Sequence, residues 1–257
     1  MVFGYTEGKK IKKETNMNYF FEYEKKLKQL CKSKHLILKN LGKIGRDAKF
    51  DIYAVENRVV STKKTICFLS GCHGEEYAGP LAILEFLEKE DINKIKIKLV
   101  FVPIVNPSGF NIHNRYNYLG QQLNSRPKGK KLAQEVKLIC NYLQKYSFDF
   151  FHAIHEDSDK KAFYAYIFEN KKEKIYRDIL SIAKRYFKID RSKTLEGDKM
   201  QNGLIINIHD NSFEDVFFKK GAKYSCCTET PGRMPVKKRI KLNAEIMHKI
   251  ISFMQTN

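Results

Sequence analysis

The chain has 257 residues, which is enough for one large domain with a sizeable core. Apolar residues make up 42% and aromatic residues 12%, and this excludes a disordered chain. Lys and Arg outnumber Asp and Glu by 48 to 29, so the net charge of +19 favours an acidic partner or substrate, although a lysine-rich surface that only keeps the protein in solution is the simpler interpretation.

The sequence predicts a cytoplasmic protein without a membrane span. No stretch approaches the roughly 20 apolar residues that cross a bilayer, and the basic N-terminus lacks the apolar run of a secretory signal. The six cysteines are scattered without a CxxC pair, which is typical of reduced thiols. The oligomeric state is not indicated.

The predicted elements alternate between helices and strands after a loose, basic arm at residues 1–18. Apolar residues three and four apart predict helices at 19–34, 80–90, 131–146, 173–187 and 242–254. Short apolar or alternating runs predict strands at 36–60 (with a Gly-containing turn at 41–45), 65–69, 95–105, 148–154, 162–168 and 224–228. Residues 106–109 are predicted to form a turn, and 110–129 a long polar loop.

This alternation predicts an α/β fold, in which residues 19–257 form a single domain. We expect a central mixed, largely parallel twisted sheet with helices on both faces. Ligands of such sheets bind at the carboxyl ends of the strands. The candidate residues below all follow predicted strands.

His73 and Glu76 are three residues apart at a predicted strand-to-helix junction. An imidazole and a carboxylate at this spacing form half of a His₂Glu zinc site, which keeps one coordination position open. The HxxE spacing is common, and the alternative is a helix start whose acidic residues lie favourably near the N-terminus.

His155 is the best candidate for a third ligand because it comes at the carboxyl end of a buried strand. His152 lies within that strand and ranks below it. His113 and His209 are less well placed, and an ordinary loop histidine is the alternative for each of them.

Two further residues suit amide hydrolysis. Glu229 ends another short strand, where a carboxylate could act as general base on a metal-activated water. Arg115 could stabilise an oxyanion or bind a carboxylate. A surface turn at Thr-Pro-Gly and a surface arginine are the alternatives, but the joint occurrence of the motifs, each after a strand, favours a site.

Together these motifs resemble the zinc carboxypeptidase family of carboxypeptidase A type, over residues 65–232. The resemblance implies one Zn²⁺ ion bound by His73, Glu76 and His155. It also implies that Glu229 is the catalytic glutamate and Arg115 the oxyanion arginine.

The substrate-binding loop departs from the family pattern. The family's Asp-Leu-Asn-Arg is Gln122-Leu123-Asn124-Ser125 here, with Arg126 displaced by one position. By resemblance, Asn124 binds a substrate carboxylate, and Arg126 could replace the missing arginine. The sequence His-Gly-Glu-Glu-Tyr-Ala-Gly-Pro at 73–80 is also similar to murein-peptide amidases and to the succinylglutamate desuccinylase and aspartoacylase group.

We therefore predict a zinc metallohydrolase that cleaves an amide bond of a peptide-like, acidic substrate, of carboxypeptidase or murein-peptide amidase type. The alternative is an N-acyl amino acid deacylase. A non-catalytic basic binding protein is less favoured, and no specific nucleic-acid partner is expected, because neither an RNA-binding signature nor a zinc-finger spacing is present.

Overall fold

The computed structural model describes residues 19–59, 64–124, 131–168 and 174–256, so the predicted arm at 1–18 and the candidate Arg126 lie outside the described residues. Helices predicted from apolar spacing are present near their expected positions. The α-helices of the described part are α1 (Tyr19–Ser33), α2 (Ala78–Lys89), α3 (Pro107–Ile112), α4 (Gln134–Leu143), α5 (Lys174–Ala183), α6 (Phe213–Lys219) and α7 (Val236–Thr256).

The strands of the described residues form one mixed sheet. They are β1 (Ile37–Ile44), β2 (Phe50–Glu56), β3 (Thr65–Ser70), β4 (Lys98–Val102), β5 (Phe150–Asp157), β6 (Ala162–Phe168), β7 (Lys188–Ile189), β8 (Thr194–Leu195), β9 (Asp198–Gln201), β10 (Leu204–Ile206) and β11 (Tyr224–Pro231). Their order is β1-β2-β4-β3-β5-β11-β6-β10-β9-β8, with β7 beside β6.

The centre of the sheet is parallel, and this confirms the predicted fold. Strands β4, β3, β5 and β11 all run in one direction, while β1–β2, β2–β4 and β11–β6 are antiparallel. Ile66, Phe68, Phe150 and Phe151 are fully buried, as expected for parallel strands that are covered on both faces.

Helices cover both faces of the sheet, as predicted. The ring of Tyr224 on β11 contacts Phe253 of α7, whereas the hydroxyl of the next residue, Ser225, donates to the carbonyl of Glu214 in α6. Because successive strand residues point to opposite faces, α6 and α7 lie on opposite sides.

The structure corrects the sequence analysis in three places. The turn expected at 41–45 comes after Ile44, because Gly42 marks a bulge within β1 rather than a reversal. The expected turn at 106–109 starts α3, whose first turn is capped by the Asn106 side chain accepting from the Gly109 amide at 2.9 Å. Strands β7–β10 and helix α6 were not predicted, because they are too short for a regular spacing of apolar residues to be recognised.

In the ranges that the structure describes, no helix combines the length and the apolar character needed to cross a bilayer.

Candidate metal centre and cleft

Parallel pairing of β3 and β5 places the first two sequence motifs side by side. Ser70 at the end of β3 pairs with Ile154 of β5, so the connection from β3 to α2 starts next to His155. This connection carries His73 and Glu76. His155 and Glu229 lie inside β5 and β11, two residues before the ends of these strands.

His73, Glu76 and His155 converge as a group of potential metal ligands. One ligand atom from each lies within 4.8 Å of the other two. His73 Nδ1 contacts one carboxylate oxygen of Glu76, and His155 Nδ1 lies 2.9 Å from the other. All three residues are at most 4% exposed, so their charges are shielded from water.

The donor set fits a zinc ion. Glu76 Oε2 and His155 Nδ1 are buried and face each other at 2.9 Å without the geometry of a hydrogen bond, and neither has another hydrogen-bond partner among the described residues. Burial alone would raise the pKa of Glu76, but the charges of His155 and His73 hold it below its usual range. Two imidazoles and an ionised carboxylate are ligands that Zn²⁺ prefers, and they leave a coordination position open.

Gly74 allows the ligand loop to pack against α3. A Cβ at this position would lie closer than 3.0 Å to backbone atoms of Gly109, Phe110 and Asn114. No larger residue fits there without moving the backbone. The segment 106–109, whose role was not assigned from sequence beyond a turn, therefore supports the loop that carries His73 and Glu76.

A buried ion pair fixes the other end of the same loop. Glu156 Oε1 accepts from the amide of Ala78, the first residue of α2, at 2.7 Å. The other oxygen of Glu156 contacts the guanidinium of Arg239 in α7. Glu156 and Arg239 thus anchor the start of α2 directly after Glu76. No sequence signal identifies them, because the contact joins residues far apart in the chain.

Gln122 contacts the candidate ligand His73 from the outer side. The Gln122 side-chain amide lies 3.2 Å from His73 Nε2. With its oxygen turned towards the ring, this amide would accept from the Nε2–H, and this leaves Nδ1, on the Glu76 side, free for a metal. From the sequence, Gln122 is a departure from the family pattern without an assigned role.

The other candidate histidines lie outside this group. His152 Nε2 lies 2.8 Å from the hydroxyl of Thr228. His113 packs its ring against Tyr77, with centroids 4.5 Å apart. His209 pairs with Asp215 at 2.6 Å. Among the described residues, His73, Glu76 and His155 form the only metal-ligating group found.

Arg115, Asn124 and Glu229 line the same cleft as the ligand group. Arg115 Nη1 lies 3.3 Å from Glu75 Oε1 and 3.7 Å from Glu76 Oε1. Asn124 Oδ1 is buried without a hydrogen bond from the described residues. Burial raises the pKa of Glu229 to about 8, against the opposing effect of His155. The structure thus places Arg115, Asn124 and Glu229 around the cavity that His73 and Glu76 also line.

The cleft has a volume of about 600 Å³, and its described lining is strongly acidic. Among the described residues, ten acidic side chains line it, against one Lys or Arg, Arg115. The ten are Glu75, Glu76, Glu156, Asp157, Asp159, Glu196, Asp198, Asp210, Glu214 and Glu229. The acidic substrate predicted from the net charge is therefore not what this lining favours, because local charge at the site opposes the charge of the whole chain.

Comparison with known proteins supports a hydrolase. Residues 62–187 match the model of the succinylglutamate desuccinylase/aspartoacylase catalytic domain. This segment includes His73, Glu76, Arg115 and His155 but ends before Glu229. No curated protein sequence matches the chain significantly.

Solved structures of similar proteins share the fold. A "putative metallopeptidase" from Shewanella amazonensis SB2B is 28% identical, with a TM-score of 0.84, over 91% of this chain and 92% of that one. A second structure with the same description, from Shewanella denitrificans OS217, is 27% identical. Its TM-score is 0.84, over 92% of this chain and 90% of that one.

A more distant structure, a metallo-carboxypeptidase from Burkholderia cenocepacia, is 14% identical, with a TM-score of 0.70, over 92% of this chain and 69% of that one. Its likeness concerns the fold alone. Taken together, the comparisons confirm the resemblance to zinc carboxypeptidase-like hydrolases that the sequence indicated.

Substitution of Gly74 by Ala should weaken zinc binding while the protein stays folded. The added Cβ would push against the backbone of Gly109 and displace the loop between the two ligands, so we expect a loss of about 10- to 100-fold in zinc affinity. A competitive titration with a chelating zinc indicator measures it. Gly221→Ala is the control: its φ of 100° also strains the backbone of an Ala, but its Cβ meets nothing within 4 Å and it lies outside the ligand loop. Equal zinc affinity in the two variants would contradict the role of Gly74.

Substitution of Arg239 by Met should lower the free energy of unfolding by about 3–5 kcal/mol, because it leaves Glu156 charged, buried and without its cation. Urea denaturation measures this loss. The free energy of unfolding should fall less in the double variant Arg239→Met/Glu156→Gln than in Arg239→Met alone, because the double variant has no uncompensated buried charge. A double variant that is less stable than the single one would show that the pair does not act as described.

Proposed function

We propose that this relative of the zinc carboxypeptidases is a zinc-dependent hydrolase that cleaves an amide bond of a peptide-like substrate. The convergence of His73, Glu76 and His155 within 4.8 Å, at the wall of an open cleft, is the observation that carries the proposal. The catalytic domain would span residues 19–257.

A zinc ion held by these three residues would polarise the scissile carbonyl and lower the pKa of a bound water. Glu229 lies in the same cleft, where its carboxylate would take a proton from water and return it to the leaving nitrogen. Arg115 supplies a guanidinium beside the ligand group, where it would stabilise negative charge on the substrate oxygen.

Substrate binding would involve residues on the loop that follows α3. The side-chain N–H of Asn124 would bind a substrate carboxylate, as the sequence suggests. Its buried oxygen has no described hydrogen-bond donor and could accept from an N–H group of the substrate. Arg126 follows two residues later and could bind a carboxylate in the role suggested by the sequence.

An N-acyl amino acid deacylase is the second candidate, because residues 62–187 match the succinylglutamate desuccinylase/aspartoacylase catalytic domain. It would use the same metal ligands and differ in the size of its substrate. A cytoplasmic location is proposed on the grounds that all six cysteines are buried free thiols, as expected in a reducing compartment.

The purified protein should contain about one zinc ion per chain. His73→Ala and His155→Ala should lose it, because each removes one of three ligands. His248→Ala, a half-exposed histidine of α7 outside the ligand group, is the control. Elemental analysis after gel filtration measures the metal; zinc retained at wild-type level in both ligand variants would refute the site.

Hydrolysis by the zinc-loaded protein should depend on Glu229. We expect Glu229→Gln to reduce kcat/KM by about 10²- to 10⁴-fold while the zinc content is unchanged. The substrates are peptides, murein peptides and N-acyl amino acids, and product release is followed by chromatography.

Cleavage of N-acyl amino acids but not of peptides would select the deacylase. Turnover by Glu229→Gln equal to the wild-type rate would remove Glu229 from the mechanism. If the zinc-loaded protein hydrolyses none of the substrates, the non-catalytic alternative gains support.

A further inference from the structure

We propose that Glu75 is a positioning residue that holds and neutralises the guanidinium of Arg115, so that Arg115 acts on the oxygen of the scissile amide and does not bind a carboxylate of the substrate. From the sequence, both roles are open for Arg115. The inference rests on the proposed hydrolase and specifies its substrate class, an amide whose neighbouring group at Arg115 is uncharged.

Glu75 lies in the turn that joins two of the candidate metal ligands. The amide of Glu76 donates to the carbonyl of His73 at 3.2 Å and closes this turn, with Gly74 and Glu75 at its centre. The side chain of Glu75 is 25% exposed and lines the cleft. The position of its carboxylate is therefore tied to the position of the ligand group.

The backbone of Arg115 is fixed beside this turn by two contacts. The Arg115 carbonyl accepts from Nδ2 of Asn106 at 3.2 Å, and the carbonyl of the preceding residue, Asn114, packs against Gly74. The side chain of Arg115 is 40% exposed. Holding a long, rotatable side chain in one conformation costs entropy, so the guanidinium needs a contact of its own to stay in place.

The carboxylate of Glu75 provides this contact. Its Oε1 accepts from Arg115 Nη1 at 3.3 Å, and the same nitrogen lies 3.7 Å from Oε1 of Glu76. With a zinc ion bound to Glu76, the metal would share the charge of Glu76, and Glu75 would remain the carboxylate that compensates Arg115. Oε2 of Glu75 is buried without a hydrogen bond from the described residues, so Arg115 is the cation described for this carboxylate.

The pair leaves other hydrogen-bond donors of Arg115 available. A guanidinium has five N–H donors. The contact with Glu75 uses Nη1, whereas Nε and Nη2 have no hydrogen-bond partner among the described residues. Stabilisation of an oxygen that becomes negative during a reaction depends on donors that are oriented in advance, and the contact with Glu75 supplies that orientation.

A substrate carboxylate would gain little from an arginine that is already paired. Arg115 is the one Lys or Arg of the described cleft lining, and ten acidic residues line the same cavity. A carboxylate placed at the guanidinium would compete with Glu75 and lie close to a like charge, which is unfavourable. The described lining therefore offers no uncompensated Lys or Arg to an anion, and a neutral peptide group fits it better.

The test measures binding of benzoylglycine and benzoylglycinamide, which differ only in a carboxylate and a neutral carboxamide. The protein is the full-length, zinc-loaded Glu229→Gln variant, in which turnover is suppressed, and isothermal titration calorimetry gives both Kd values. Adding Glu75→Gln frees the charge of Arg115 and removes a like charge. We expect the ratio of the carboxamide Kd to the carboxylate Kd to rise by about 3- to 10-fold.

Three further variants show whether the rise comes through Arg115. Replacing Arg115 by Gln in the Glu75→Gln protein should abolish the rise. Glu75→Asp keeps the charge and should stay within about twofold of the parent ratio. Glu196→Gln is the matched control, because it removes another carboxylate of the cleft lining that forms no ion pair with Arg115, and its ratio should also stay within about twofold.

Thermal melting verifies that each variant is folded, and Glu75→Ala, with the same expected rise as Glu75→Gln, gives a second measurement. An unchanged ratio in both, a rise that persists without Arg115, or an equal rise in Glu75→Asp or Glu196→Gln would overturn the inference. No binding of either compound to Glu75→Gln would also overturn it.

The outcome is separable from that of the proposed function, because binding is measured without turnover. A wild-type protein that hydrolyses amides, together with a ratio that Glu75→Gln does not change, would retain the hydrolase and reject the role of Glu75. The predicted rise, together with a zinc-loaded wild-type protein that hydrolyses nothing, would retain the pairing of Glu75 with Arg115 and reject the hydrolase.

Discussion

The carboxylate of Glu76, held between the imidazoles of His73 and His155, is the interaction on which the rest of the site depends. Three polar side chains are buried together here, and burial of ionisable groups is stable only when their charges and hydrogen bonds are matched. Parallel pairing of β3 with β5 brings the three residues to one edge of the sheet. The contact of Gly74 with α3 and the contact of Glu156 with Ala78 then restrict the loop from both sides.

Local charge and total charge have opposite signs in this protein. The chain carries a net charge of +19, yet the described lining of its cleft contains ten acidic residues and one arginine. Only groups within about a Debye length of a ligand act strongly on it at physiological salt. The surface lysines therefore bear on the interactions of the whole protein, while the carboxylates of the described lining determine the charge inside the cleft.

The sequence predicted those helices and strands in which apolar residues recur at a regular spacing. Helix α7 buries Leu242, Ile246 and Ile250 at spacings of four, and residues 66–69 of β3 are a short, buried apolar run, so both were identified. The four strands between 188 and 206 contain two to four residues each, which is too few for alternation to be recognised.

For the site, the motif residues with distinctive chemistry could be named from the sequence, and the structure brings them together. Supporting residues could not be named. Arg239 contacts Glu156, which lies 83 positions earlier in the sequence. Glu214 is distinguished only in the structure, by its burial and by an Oε2 without a hydrogen bond from the described residues. Such contacts depend on the packing of α6 and α7 against the sheet, which composition and periodicity do not encode.

The wall of the cavity is built from two parts of the chain. The metal-binding wall comes from the segment before residue 187, whereas Glu229, Glu214 and the β8–β9 turn come from the segment after it. The metal ligands and the proposed base Glu229 thus come from different parts of the polypeptide. Changes in the β8–β9 turn would alter the lining at Glu196 and Asp198 while the ligand group, which comes from the earlier segment, stays intact.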